Sequence, residues 1–380
     1  MTIKEIQAKS ILIKHKKIDS WFVSRYGMNL YRGCIHNCLY CDGRSDKYGV
    51  EGEFGKDISV KINAIEILNK ELNPERKRQP MKKGFIMIGG GVGDGYQPAE
   101  KKYQLTKKVL QLIDYYKFPI HILTKSCLVK RDIDLIDKIN KRKKAIVSFS
   151  FSSTDDKISS IFEPGVSLPS ERLETIKKFK ERGISCGMFL MPVIPFITDS
   201  YDIMKKTVKD SKDAGIDFII FSGMTLKKGK QKDYFYSKLK KFHPKLINDY
   251  EKIYKDDIWG SASNSYYDKI HKDFFKIISE EKIPIRIPSS LFENFVDLND
   301  LIVVILEHID YLLKMQGGSS SYKYAAYSIS QLKEPISIFK DNLQQFKGIG
   351  KQTEKIISEI IDSGKSSLYK KLTNYWSGKI

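Results

Sequence analysis

The segment Asn29-Leu-Tyr-Arg-Gly-Cys34-Ile-His-Asn-Cys38-Leu-Tyr-Cys41-Asp42 puts three cysteines in eight residues, at the spacing C-x3-C-x2-C. Three thiolates so close can hold one metal centre from a single loop. A structural zinc site wants a fourth cysteine or histidine at comparable spacing. His36 lies inside the loop, pointed away by its closeness in sequence, and Cys127 and Cys186 fall in or beside expected strands. Three cysteines without a fourth suit a [4Fe–4S] cluster with one open iron; a zinc site is the alternative. The open iron leaves a place for a substrate or cofactor.

Outward from this loop, residues 1–290 alternate short strands with amphipathic helices. Strands are expected at Phe85–Ile88, Ile120–Thr124, Ala145–Phe151, Gly187–Met191 and Phe218–Phe221, each a β-branched or aromatic run. Helices are expected at Lys101–Tyr116, Asp132–Lys141, Ser170–Arg182 and Tyr201–Ala214, with Ser170 as an N-cap and Gly183 as a stop. A further helical pattern covers Phe274–Ile278, followed by a strand-like Ile283–Ile287. Repeated strand–helix units predict a parallel sheet, open or closed as a barrel, with its site at the carboxyl ends of the strands.

The chain has 380 residues and a net charge of +20, which suits a polyanionic partner, although lysine richness also serves solubility. Lys227–Lys241 is a basic stretch that reads as a solvated face or a contact to a substrate backbone. No apolar run approaches the roughly 20 residues that span a bilayer, and residues 1–17 lack the apolar core of a signal peptide. A cytoplasmic protein with no membrane partner is expected. Five cysteines in so long a chain do not make a disulfide framework.

With Tyr40 just before the last cysteine, the loop resembles that of the radical S-adenosylmethionine (SAM) superfamily. The resemblance implies a partial (β/α)6 barrel of the TIM-like type. It implies a [4Fe–4S] cluster on Cys34, Cys38 and Cys41 and S-adenosyl-L-methionine on the open iron. One-electron cleavage of that cofactor then gives a 5′-deoxyadenosyl radical, which takes a hydrogen from substrate. An electron donor such as ferredoxin or flavodoxin is implied as a partner. The strand Phe85-Ile-Met-Ile88 runs into Gly89-Gly90-Gly91, where missing side chains admit a ligand close to the backbone. That run resembles the superfamily's glycine-rich contact to the methionine amino group.

Asp94-Gly-Tyr96-Gln97-Pro98-Ala-Glu100 resembles the spore-photolyase-like branch, the DNA repair photolyases. Thr124-Lys125-Ser126, Arg131-Asp132, Glu163-Pro164-Gly165, Glu171-Arg172-Leu173 and Met191-Pro192-Val-Ile-Pro195 agree, so the resemblance covers about residues 20–225. It implies Tyr40 near the adenine, Lys125 on the methionine carboxylate, and Ser148 or Ser150 on the ribose. Alternation puts those two serines on one face of a strand. The branch's hydrogen-donating cysteine, just ahead of the aspartate matched by Asp94, is replaced by Val92-Gly93. That departure speaks against repair of the spore photoproduct itself. Tyr96 is a candidate radical quencher or an ordinary packing tyrosine.

Near residue 297 the pattern changes to helices only, interrupted at Gly317-Gly318-Ser319-Ser320-Ser321. Residues 1–296 are expected to form the radical SAM catalytic domain and residues 297–380 a small all-α domain. In Phe346-Lys347-Gly348-Ile349-Gly350-Lys351-Gln-Thr353 the glycines permit a tight turn and free backbone N–H groups at a helix N-terminus, a ready phosphate site. Residues 322–380 hold 10 Lys against 5 Asp and Glu. This stretch resembles the helix-hairpin-helix motif of X-family DNA polymerases. The resemblance implies a DNA backbone grip through Lys347, Gly348, Ile349, Gly350, Lys351 and Thr353; a hairpin for protein contacts is the alternative. The lysine that gives some of those domains lyase activity is matched by Ile356. Together the two resemblances imply a lyase-like radical SAM enzyme that repairs or modifies a nucleotide in DNA. An enzyme acting on RNA or a peptide, or a non-catalytic DNA-binding iron–sulfur protein, are the other readings.

Overall fold

The computed structural model describes residues 2–76, 81–255 and 258–377. Among the described residues ten strands form two sheets: β1 (Ile3–Ile6), β2 (Leu12–Asp19), β3 (Ser24–Met28), β4 (Tyr31–Arg32), β5 (Ile58–Lys61), β6 (Phe85–Ile88), β7 (Ile120–Thr124), β8 (Ala145–Phe151), β9 (Ser185–Val193) and β10 (Phe218–Gly223). The larger sheet has the order β10-β9-β8-β7-β6-β3-β2 and curls into a half-barrel. Its six strands from β3 to β10 run parallel, and β2 closes the edge antiparallel to β3. This is the partial (β/α)6 barrel expected. All seven residues of β8 are buried, as a strand covered on both faces requires. A small sheet, β1-β5-β4, flanks the cysteine loop.

Three local expectations are corrected. The helix expected over Lys101–Tyr116 is two, Glu100–Tyr103 and Leu105–Tyr116, broken at Gln104, whose φ is +51°. The Glu100 carboxylate takes the N–H groups of Thr106 (3.0 Å) and Lys107 (3.3 Å), so a new helix starts there. The helix expected over Ser170–Arg182 begins at Pro169 rather than after Ser170: proline suits its first position, and Glu171 accepts the Leu168 N–H at 2.9 Å. Ile283–Ile287 is not a strand. Pro284 interrupts it and Pro288 follows it, and it lends the edge of β10 one bond, Ile219 N–H to the Pro284 carbonyl at 2.8 Å.

The helix Leu298–Met315 packs against β2 and the turn that follows it. Arg25 and Asp300 pair at 3.5 Å, Lys17 pairs with Glu307, and His308 Nε2 meets the Ser20 carbonyl at 2.8 Å. The Arg286 guanidinium lies 3.3 Å from the Tyr311 ring centre and 4.8 Å from that of Trp21. These contacts seat the C-terminal helices on the barrel. Among the described residues no helix is long and apolar enough to cross a membrane.

Candidate functional site

The parallel strands bring their following loops to one face. There lie the cysteine loop after β3 and β4, Gly89–Gly91 after β6, Lys125 after β7, and Ser152 after β8. Cys34 and Cys38 are buried, Cys41 is half-buried, and none is in a disulfide. Burial pushes all three thiols up, and each of Cys34 and Cys38 feels the other two or one of them as a like charge. As thiolates they need a positive group between them. No three His, Cys, Asp or Glu among the described residues converge on a single metal ion. Three thiolates that would be shared among the metal atoms of a cluster have no need to. His36 is not a spare ligand: Nδ1 lies 2.8 Å from the Gly165 carbonyl and Nε2 3.1 Å from Asp94. The all-sulfur donor set fits an iron–sulfur cluster.

The Asp94–Glu100 string is the frame of this loop. Gln97, fully buried, accepts the Ile35 N–H at 3.0 Å and donates to the Gly33 carbonyl at 3.2 Å. Asp94 accepts from Thr124 Oγ1 (2.8 Å), Tyr96 N–H (2.8 Å) and Lys125 N–H (2.9 Å) as well as meeting His36. Burial alone would raise its carboxyl, but His36 and those N–H groups hold it below the usual range. Glu100 takes the Tyr31 hydroxyl and pairs with Arg131 at 2.8 Å. The string thus ties the cysteine loop to the ends of β6 and β7.

The glycines divide by role. Gly89 has φ +87°, and a Cβ there would lie 2.1 Å from the Leu123 carbonyl oxygen, so the chain itself requires glycine. A Cβ on Gly90 would press on Met87 at 2.8 Å. Gly91 is exposed and would meet nothing nearer than the Asn29 amide at 3.8 Å. Packing does not demand a glycine there; a ligand close to its backbone would.

Lys125 Nζ lies 2.9 Å from Glu163 and 5.7 Å from the Tyr40 ring centre. Glu163 also takes the Tyr40 hydroxyl, Arg172 Nη2 (2.7 Å), Ser159 (3.1 Å) and Ser152 (3.3 Å). Ser148 bonds His121 Nε2 at 2.8 Å, and Ser150 donates to the Met191 carbonyl at 2.8 Å. Both serines are thus engaged within the barrel. Tyr96 is fully buried, its hydroxyl set among Asp132, Glu100 and Arg131. It packs away from solvent, as a structural tyrosine does. Gln231, inside the basic stretch, carries no sequence signal of its own; it donates to the Tyr40 carbonyl at 3.0 Å. Lys227, at the head of that stretch, is no solvated residue: it is largely buried and pairs with Asp42.

In the C-terminal module the helix Lys351–Ser363 starts at Gly350, and its Ile356, Ile357 and Ile360 are buried. The segment before the turn, Ile336–Gln345, is a 3-10 run broken at Asn342 rather than a regular helix. Gly348 has φ +87°, and a Cβ there would lie 2.8 Å from the Ala325 amide nitrogen, so the turn lies tight on the helix Tyr322–Ser330. Ile349 and Thr353 are buried, while Lys347, Gly350 and Lys351 are exposed around the helix N-terminus.

Comparison with known families matches residues 28–207 to the Radical SAM superfamily and residues 297–366 to a Helix-hairpin-helix domain. The chain carries a radical SAM domain over residues 28–207. Uncharacterized relatives include one from Mycobacterium tuberculosis, 28% identical over 67% of this chain and 74% of its own length. Another, from Methanocaldococcus jannaschii, is 31% identical over 48% of this chain and 66% of its own length. Spore photoproduct lyase complexed with dinucleoside spore photoproduct shares the fold: TM-score 0.53, 17% identity, 73% of this chain and 79% of that one. A variant of that lyase with bound AdoMet and the dinucleoside aligns with a TM-score of 0.52 and 18% identity.

Proposed function

We propose that this radical SAM enzyme acts on DNA, in a lyase-like reaction that repairs or modifies a nucleotide. The carrying observation is one chain holding both a cysteine-loop half-barrel and a helix-hairpin-helix module. Cys34, Cys38 and Cys41 would hold a [4Fe–4S] cluster. When bound, the cluster and S-adenosyl-L-methionine supply a one-electron route to a 5′-deoxyadenosyl radical. Tyr40, Gly90, Gly91 and Lys125 line the rim where that cofactor would lie, and Lys125 offers its carboxylate a cation. Ser148 and Ser150 set the wall of the barrel below. An electron donor such as ferredoxin or flavodoxin completes the system.

In the C-terminal domain, 297–380, the exposed N–H groups after Gly350 and the ammonium groups of Lys347 and Lys351 grip phosphates without reading sequence. Ile356 is buried where a lyase lysine would stand, so the module binds rather than cleaves. Taking a nucleotide into a water-poor barrel needs unstacking, which costs least at damaged or unpaired sites.

The test is anaerobic reconstitution with iron and sulfide, dithionite and S-adenosyl-L-methionine, with 5′-deoxyadenosine measured with and without DNA of defined damage. Stimulation by one DNA type supports the reading. Cleavage stimulated by RNA or a peptide alone overturns it, and so does a loaded cluster without turnover.

A further inference from the structure

Beside the cysteine loop two apolar side chains stand in solvent. Ile258 is 81% exposed and Trp259 is 59% exposed. Their base is fixed. Gly260, with φ +68°, would carry a Cβ 2.5 Å from the Leu226–Lys227 peptide, and its carbonyl accepts the Leu226 N–H at 2.7 Å. That peptide follows β10, so the tip belongs to the carboxyl-end face of the barrel. Lys47, in the 3-10 turn Asp46–Tyr48 just past the cysteine loop, sets its ammonium 5.0 Å from the Trp259 ring centre. Asp46 in the same turn pairs with Lys230 at 2.5 Å, at the start of the basic helix Lys230–Phe242. Tip, cysteine loop and basic helix therefore form one surface around the mouth.

An isoleucine and a tryptophan held side by side in water lose the free energy their burial would give, which marks a place for a partner. A rigid indole with a cation against it and lysines alongside suits a nucleobase on a phosphate backbone. Lys240 and Lys241 on that helix are exposed. A membrane surface would ask for a broader apolar face than two residues.

We propose that Ile258 and Trp259 form a wedge at the barrel mouth that stacks a base of unpaired DNA, with the lysines of the adjoining helix on its phosphates. This rests on the DNA reading above. Drawing one nucleotide into the barrel leaves a gap in the stack, and an apolar wedge beside the mouth is placed to fill it.

The test uses the full chain and fluorescently labelled oligothymidylate, with Trp259→Ala and Trp259→Phe. Trp259→Ala is expected to weaken single-strand binding about tenfold, and Trp259→Phe to stay within about threefold. Affinity for intact duplex and 5′-deoxyadenosine formation without DNA stay unchanged. Equal oligothymidylate affinity in wild type and Trp259→Ala overturns the wedge and leaves the DNA reading standing. No binding of any DNA by the wild type overturns both. Trp259-dependent adsorption to phosphatidylserine vesicles, with oligothymidylate affinity untouched, overturns the wedge in favour of a lipid contact.

Discussion

Lys125 Nζ rests 2.9 Å from Glu163 Oε1, a carboxylate with no solvent exposure. Burial alone would raise that carboxyl, but Lys125 and Arg172 hold it well below the usual range. Glu163 is therefore an internal anion that fixes three things at once: the ammonium of Lys125, the guanidinium of Arg172 and the hydroxyl of Tyr40. It spaces the two residues assigned here to the cofactor's carboxylate and adenine.

Glu163→Gln keeps the shape and removes the charge. The buried Arg172 guanidinium and the partly buried Lys125 ammonium then lack a counter-ion, a change that costs about 3–5 kcal/mol. The urea midpoint is expected to fall accordingly. S-adenosyl-L-methionine should bind several-fold more weakly to whatever folds, because Lys125 loses its fixed position. An unchanged midpoint and unchanged affinity would show that Glu163 organises nothing.

Gln97→Leu separates the frame from the metal ligands. The substitution keeps volume but abandons the Ile35 N–H and the Gly33 carbonyl. Each buried group left unpaired costs about 1–3 kcal/mol. The loss falls on the backbone that carries Cys34, so iron and sulfide per chain after reconstitution should drop further than global stability does. Full iron loading in Gln97→Leu contradicts this role.

How much of this was legible in the sequence depends on range. Strands β6, β7 and β8 are read to the residue because their runs end abruptly, at Gly89, Lys125 and Ser152. The cysteine loop and the Gly348–Gly350 turn are equally local, since spacing and glycine fix them. The hub at Glu163 is not local: its partners Tyr40 and Lys125 lie 123 and 38 residues away. Its sequence mark, Glu163-Pro164-Gly165, resembled a family without yielding a role. Gln231 is hidden among lysines, and the break at Gln104 is hidden because Glu100, six residues before Thr106, reads as one more helical residue rather than as the cap of a second helix. Ile283–Ile287 has a strand's composition, but Pro284 inside it and Pro288 after it leave it one backbone bond to the sheet.

Two buried histidines weaken the fold in mild acid. Burial pushes His121 down to about 4, and burial with the nearby Arg286 pushes His308 down to about 3. Unfolded, each titrates near 6.5. Below that the unfolded chain binds protons that the folded chain does not, so stability falls as pH drops toward the folded values. From pH 6.5 to 5 the loss is about 2 kcal/mol for each histidine. Urea unfolding at pH 7 and pH 5 measures the sum. His308→Gln should remove roughly half of the difference; a pH-independent midpoint contradicts the neutral buried imidazoles.

The hairpin's lysines report through salt. If Lys347 and Lys351 each neutralise one phosphate, DNA binding releases about one counterion for each. The slope of log affinity against log salt should then shrink by about 0.9 for Lys347→Ala, by about 0.9 for Lys351→Ala, and by about twice that for the pair. Both side chains are exposed, so the variants should unfold at the wild-type midpoint. Gly348→Ala makes the opposite comparison: the charge stays, but its Cβ would lie 2.8 Å from the Ala325 amide, and φ +87° disfavours it. Its affinity should fall while its salt slope stays near wild type wherever binding is still measurable. Lysine variants that lose affinity with no change in slope would mean that the hairpin holds something other than phosphates.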